Sequence, residues 1–243
     1  MNWDVIKIRF WEKTFWRKAT RVVAMSDSDK RIMQELIPEL TVDLVPNGVD
    51  AEYFKPFAKK YRSDKKMLLF VGNFKWLQNR EAVKILVKEI LPLIQSKLSA
   101  VKLWIVGRHP TQEILRFSTP EIKISSDIED IRTAYKESDV LIAPIYGPGG
   151  TRYKILESMA AGLPVITTST GIEGLGATHE QEALIDDTPA GIAKQTVRLL
   201  TNEALYKNLA IQGRKLVVKN YNWKIIADKL DSIYQRAAYE KNS

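Results

Sequence analysis

Cysteine is absent from the chain. That removes disulfides, thiolate nucleophiles, iron–sulfur clusters and thiolate zinc sites together. Histidine is nearly absent: His109 and His179 are too few for a histidine-rich metal centre, and neither has a nucleophile motif beside it. Twelve glycines and ten prolines in 243 residues exclude a low-complexity or collagen-like chain. No apolar run approaches the roughly 18 residues of a membrane-crossing helix, and no leader precedes a small-residue cleavage site. The expectation is a soluble, cytoplasmic chain with no bound metal, which either performs metal-free chemistry or binds without chemistry.

Apolar residues make up 45% and charged residues 27% of the sequence, enough for a real core. At about 150 residues per domain, the length corresponds to one large domain or to a domain and a piece of another. Lysine and arginine number 37 against 29 acidic residues, a net +8 that favours an anionic partner: a nucleotide phosphate, a nucleic acid or an acidic membrane face. No nucleic-acid recognition module is present and the basic residues are spread along the chain, so nucleic acid is the weakest of the three.

Short β-branched runs alternate with longer helical patterns. Strands are expected at Arg21–Met25, Val42–Val45, Met67–Val71, Val101–Val106, Ile122–Ser125, Val140–Ala143 and Pro164–Thr168. Helices are expected at about 27–37, 79–97, 110–117, 129–137 and 152–161, and only helix follows Thr188. Runs such as Met67-Leu-Leu-Phe-Val71 and Val140-Leu-Ile-Ala143 are apolar without alternation, as in parallel strands covered on both faces. The alternation of strand and helix predicts an α/β fold, a doubly wound parallel sheet of Rossmann-like type.

Three glycine-containing turns fall at strand carboxyl ends, where open α/β sheets bind ligands. The richest is Gly147-Pro-Gly149-Gly150-Thr151-Arg152-Tyr-Lys154-Ile-Leu-Glu157, which opens a helix that stops at Gly162. Free backbone N–H groups and the positive end of the helix dipole make such a start a seat for phosphate, and Arg152 and Lys154 add charge. Thr151 could cap this helix; Thr151, Lys154 and Glu157 share one stripe of it. Glu157 is its only acid: either a ribose-binding carboxylate or a surface partner of Lys154. The second turn, Gly72-Asn73-Phe-Lys75, is either a phosphate-side turn or a plain strand–helix turn with Asn79 as helix cap. The third holds Gly107-Arg108-His109.

Other features have plainer readings. Asp27-Ser28-Asp29 and Asp127-Ile-Glu129-Asp130 read as helix caps rather than metal sites. His109 reads as a surface histidine beside the cleft. Trp3 to Lys18 mixes aromatics with five lysines or arginines. Such a helix packs its aromatic side on another domain or lies on an anionic membrane face.

In their order these pieces resemble the C-terminal, donor-binding half of a GT-B retaining glycosyltransferase, in the large family four or "glycosyl transferases group one". The likeness runs through Arg21-Val-Val-Ala-Met-Ser26, Val45-Pro-Asn-Gly-Val-Asp50 with Phe54, Phe70-Val-Gly72, Asp139-Val-Leu-Ile-Ala-Pro144 and Gly150-Thr-Arg-Tyr-Lys-Ile-Leu-Glu157 through Val165. The resemblance implies metal-independent hexosyl transfer from a UDP- or GDP-linked sugar to a glycan or lipid-linked acceptor, with no other cofactor. It implies that Glu157, the second glutamate of a Glu-x7-Glu motif, binds ribose. Gly149, standing where the first glutamate would be, then lies with Gly150 and Thr151 near the diphosphate. Gly72 and Asn73 match the first phosphate-side turn, with Lys75 and Arg108 as further cations beside Arg152 and Lys154. The catalytic group and the acceptor site would belong to an N-terminal domain. Residues 1–45 would be its trailing edge, 46–66 a linker, 67–221 the nucleotide-sugar domain and 222–243 a helix packing back. Peripheral contact with the inner face of a membrane fits this reading. A non-catalytic nucleotide-binding subunit docking on a separate acceptor domain is the alternative. A dinucleotide oxidoreductase is disfavoured, because no Gly-x-Gly-x-x-Gly follows Met67–Val71.

Overall fold

The computed structural model describes residues 3–56, 66–147 and 152–242. In chain order the first elements are α1 (Trp3–Trp16), β1 (Val22–Ala24), α2 (Asp27–Leu36), β2 (Val42–Leu44), β3 (Lys66–Val71) and α3 (Leu77–Ile85). A π-helical turn (Leu86–Ile90) leads into α4 (Leu91–Gln95), β4 (Val101–Val106), α5 (Gln112–Leu115), β5 (Ile122–Ser125), α6 (Ile131–Glu137) and β6 (Val140–Ala143). Then come α7 (Tyr153–Ala160), β7 (Val165–Thr167), α8 (Ser169–Ile172), β8 (Leu184–Ile185), α9 (Pro189–Thr201), α10 (Glu203–Asn220) and α11 (Trp223–Asn242).

The chain forms two compact units, Val49–Lys219 and, from both ends of the sequence, Met1–Gly48 with Asn220–Ser243. The expected 46–66 linker is therefore divided: Val49, Ala51 and Phe54 are buried in the larger unit.

In the smaller unit β1 and β2 pair in parallel, Val22 opposite Val42 and Ala24 opposite Leu44. Ala24, Ile37, Leu40 and Val42 form one core, with Trp16 and Met33 against it, and Val45 packs with Ile226 and Ile233 of α11. Arg21 grips Asp43 with two hydrogen bonds, 2.6 and 3.0 Å, and reaches Glu240 at 2.6 Å. The Arg21 hydrogen bond, more than its charge alone, holds the Asp43 carboxyl below its usual range. Asp43→Asn should cost the smaller unit about 1–2 kcal/mol, because Arg21 is then left short of a partner in a largely desolvated place. A carboxyl whose folded value is depressed contributes stability above its unfolded value of about 4 and loses it as pH falls. Urea unfolding at pH 7 and pH 3 checks this: the wild-type advantage should be present at the first and diminished at the second.

The larger unit is a six-stranded, all-parallel sheet in the order β5-β4-β3-β6-β7-β8. Counted from its own first strand this is 3-2-1-4-5-6, the doubly wound order of Rossmann-like domains. Side chains alternate across it. Leu68, Phe70, Leu103, Ile105, Val140, Ile142 and Ile166 join a core with α3, the π turn, α4 and α9. Leu69 and Leu141 point to the opposite face, which is also fully buried. Burial on both faces is the reason β3 and β6 read as nearly unbroken apolar runs.

The expected helix over 79–97 starts two residues earlier and is interrupted. Pro92 has no N–H to give the carbonyl four residues back, and the ladder shifts so that Leu91 N–H donates to Leu86. The 110–117 pattern shrinks to one turn capped by Thr111. Two short elements, α8 and β8, had no expectation.

Candidate functional site

The strand order reverses between β3 and β6, so the connections leaving these neighbours run to opposite sides. In open α/β sheets the crevice outside the carboxyl ends at such a reversal is where ligands bind. Three described segments follow the strands at this end: 72–76 after β3, 107–110 after β4, and 144–147 after β6.

The first two are locked together. Gly72 N–H donates to Val106 O at 2.9 Å, and Phe74 N–H to Arg108 O at 3.0 Å. A Cβ on Gly107 would stand 1.6 Å from the Gly72 carbonyl oxygen, a closeness only glycine permits. The 72–76 turn is also braced from α3. Asn79 Nδ2 donates to Asn73 O at 2.9 Å, and Arg80 Nη1 donates to Phe74 O at 2.9 Å. Asn73 Oδ1 accepts from Lys75 N at 3.1 Å. Asn79 is thus no helix cap, as one reading of the sequence had it; Trp76 holds that position without a side-chain bond.

Across the crevice, α7 starts with Arg152 as its N-cap and Tyr153 as its first helical residue. Thr151, the expected cap, lies outside the described residues with Gly149 and Gly150. The helix stops at Gly162, whose φ of +69° suits glycine, with Leu163 N–H closing back on Ser158 O at 2.9 Å. Arg152 Nη2 donates to Gly147 O at 3.1 Å. Lys154 Nζ donates to Asn79 Oδ1 at 2.7 Å and sits 4.5 Å from the centre of the Phe70 ring. Burial, reinforced by Arg152 and opposed by Glu157, pushes the lysine down to about 7. One turn on, burial raises the Glu157 carboxyl, against the pull of the Tyr135 hydroxyl and of Lys154. Tyr135 Oη, from α6, donates to Glu157 Oε2 at 2.7 Å.

The structure brings Gly72, Asn73, Arg152, Lys154 and Glu157 to one crevice, with Asn79 linking the two sides. Lys75 and Arg108 sit exposed on the neighbouring turns, and among the described residues neither side chain bonds to α7. Asn79 as a bridge and Tyr135 are the participants that sequence reading missed. Their partners lie 75 and 22 positions away, and no local pattern marks either. The remaining candidates are structural. Ser26 caps α2 by accepting from Asp29 N–H at 3.0 Å, with Asp27 and Asp29 in the first turn. Asp130 caps α6. Among the described residues no three of His, Asp and Glu gather to hold a metal.

Chemically the crevice offers anion-binding charge at a helix start and one carboxylate suited to accepting hydroxyls. The family model "Glycosyl transferases group 1" matches residues 65–202, more than half the sequence and the whole of this sheet. The chain belongs to the group 1 glycosyltransferases. Within that family it is 25% identical over 227 residues to a phosphatidyl-myo-inositol mannosyltransferase of Mycobacterium leprae, covering 89% of this chain and 59% of that one. It is also 25% identical over 252 residues to the putative glycosyltransferase YtcC of Bacillus subtilis, covering 91% and 61%. The chain thus spans about three-fifths of the length of these relatives. A glycosyltransferase from Rickettsia africae superposes with a TM-score of 0.79 at 20% identity, over 97% of this chain and 67% of that one. HepE from Anabaena, solved with UDP and glucose, superposes at 0.72 and 14% identity, over 89% and 63%. These likenesses establish the GT-B fold for this family member and its correspondence to the C-terminal part of such proteins. No helix among the described residues is long and apolar enough to cross a membrane.

Proposed function

We propose that the larger unit binds the nucleoside-diphosphate part of an activated sugar, UDP- or GDP-linked. It would serve as the donor half of a retaining glycosyltransferase. That enzyme moves a hexosyl group to a hydroxyl of a cell-surface glycan or glycolipid, with arginine and lysine charge where other transferases use a metal. The observation that carries this reading is the arrangement on α7: two cations at its start and a braced carboxylate one turn in, at the point where the strand order reverses. The UDP and glucose held by HepE, a protein of the same fold, support the ligand class.

In this reading Glu157 accepts the ribose hydroxyls. Arg152, Lys154 and the first amides of α7 face the diphosphate, with Gly149, Gly150 and Thr151 contributing backbone there. Gly72 and Asn73 close the other side, and Lys75 and Arg108 are outer cations on the flanking turns. The task in transfer is to place the donor and neutralise the leaving diphosphate. Acceptor recognition falls outside this unit.

Calorimetry with UDP and GDP tests the reading. At least one should bind, and Glu157→Ala should weaken it about 30-fold, the worth of hydrogen bonds to a charged acceptor. Failure to bind either nucleotide, or an unchanged affinity in Glu157→Ala, overturns it.

A further inference from the structure

Tyr135 is 2% exposed, on the last turn of α6 just ahead of β6, with its ring edge-on to Phe54 at 5.9 Å. A phenol costs free energy in such a place unless its hydroxyl is bonded, and phenylalanine would fill the same space without that demand. Among the described residues the hydroxyl has one partner: it donates to Glu157 Oε2 at 2.7 Å. Among the described residues no other side chain hydrogen-bonds Glu157. The carboxylate is itself largely withdrawn from water, on a helix whose neighbouring positions Ile155, Leu156, Ser158 and Met159 are buried.

We infer that Tyr135 is a positioning residue for nucleotide recognition: its buried hydroxyl, anchored on α6, fixes the Glu157 carboxylate in the ionised form and orientation that accept the two hydroxyls of a ribose. The inference rests on the donor-site reading above and adds to it the group that makes Glu157 competent. An ionised carboxylate has about four acceptor positions. Tyr135 occupies one and leaves enough for a vicinal diol. Protonation turns one oxygen into a donor and, with Tyr135 already bonded, leaves fewer and weaker acceptor positions for the two hydroxyls. Desolvation drives Glu157 toward that protonated form, and two groups resist it. From α6 the resisting group is Tyr135; from its own helix it is Lys154, which in turn faces Arg152. Of these only Tyr135 touches the carboxylate.

The test uses the whole 243-residue chain and calorimetry from pH 5 to 8.5. The ligands are whichever of UDP and GDP binds and its 2′,3′-dideoxy analogue. For the natural nucleotide, Tyr135→Phe should move the acidic loss of affinity upward by about one pH unit, since a hydrogen bond to the charged form has been removed. On the acidic limb that is a weakening of up to roughly tenfold, and the two proteins should converge on its alkaline side. The dideoxy analogue should show neither shift nor loss. In a Glu157→Gln background, adding Tyr135→Phe should leave the profile in place. A merely structural Tyr135 would instead weaken both ligands equally at every pH, and that result overturns the inference. A profile of Tyr135→Phe that superposes on the wild type overturns it too. Should Tyr135→Phe lose its fold by circular dichroism, 3-fluorotyrosine incorporated into the wild-type chain gives the opposite perturbation. This stronger donor must move the acidic limb downward, and must not do so in Glu157→Gln; an unmoved limb overturns the inference. If the wild type binds neither nucleotide, the donor-site reading fails and the inference with it. If the wild type binds in a Glu157-dependent way while the profile ignores Tyr135, the role of Tyr135 alone falls.

Discussion

Replacing Gly107 with alanine should lower the unfolding free energy of the larger unit by about 3 kcal/mol or more, at the upper end of what a single added methyl costs a packed site. The added Cβ would stand 1.6 Å from the Gly72 carbonyl oxygen and 2.7 Å from its carbon. Both are backbone atoms and cannot swing away as a side-chain tip can. Phe74, whose ring is fully buried, closes the third direction at 3.1 Å. Relief requires the β3 and β4 carboxyl ends to part. That breaks the bonds from Gly72 N–H to Val106 O and from Phe74 N–H to Arg108 O. The same displacement drags the 72–76 turn away from Asn79, so nucleotide affinity should fall with stability. Gly147→Ala is the control: among the described residues its Cβ would meet only Gln78 Cγ at 3.1 Å, on an exposed side chain, and should cost under about 1 kcal/mol. Urea unfolding followed through Trp104, on β4, compares the two. Equal midpoints would show that the β3 and β4 ends yield more easily than their geometry implies.

The close approach at Gly107 also marks the limit of what could be read in advance. Strands β4, β5 and β6 are found at their expected residues and β3 within one; in β3 and β6 burial on both faces leaves a nearly unbroken apolar run, while β5, Ile-Lys-Ile-Ser, shows the alternation of a strand open on one side. Strand β8 has only Leu184 and Ile185, too short to leave a period, and is recognisable only once β7 is beside it. The helix after β3 reads as one piece because Pro92 leaves the apolar periodicity intact while the hydrogen-bond ladder shifts around it. At the crevice, the stripe of Lys154 and Glu157 was legible because three residues is a helical spacing. What each member does was not. Lys154 could be taken for the surface partner of Glu157, yet its ammonium bonds Asn79 on α3, and the Glu157 carboxylate bonds Tyr135. Spacing along a helix gives neighbours on its surface; the partner from another element depends on strand order, which no single segment encodes. Parallel pairing of β1 with β2 likewise draws residues 20 positions apart into the core of the smaller unit.

Lys154→Met should weaken binding of the nucleoside diphosphate about 100-fold near pH 6.5, the loss expected when a desolvated cation is removed from a phosphate contact. It should leave the nucleoside without phosphates bound as before. The pH dependence follows from where the lysine sits. Burial depresses it to about 7, so the ammonium is present below that pH and absent above it. A diphosphate beside it favours the charged form and therefore draws in a proton above pH 7. Affinity should fall by up to about tenfold per pH unit between 7 and 8.5, and the binding enthalpy should vary with the ionisation enthalpy of the buffer. Stability of the free protein has the opposite slope. A base whose folded value is lowered binds fewer protons folded than unfolded, so stability rises with pH from about 7 toward the ordinary lysine range. Methionine keeps the length of the side chain and its contact with Phe70 while discarding the charge, so the free protein should become more stable at pH 6 even as it loses its ligand. Opposed slopes in the wild type, both flattened in Lys154→Met, would identify the lysine as a charge held at a cost in stability for the sake of an anion. Parallel slopes, or a methionine variant less stable at pH 6, would place its worth in packing instead.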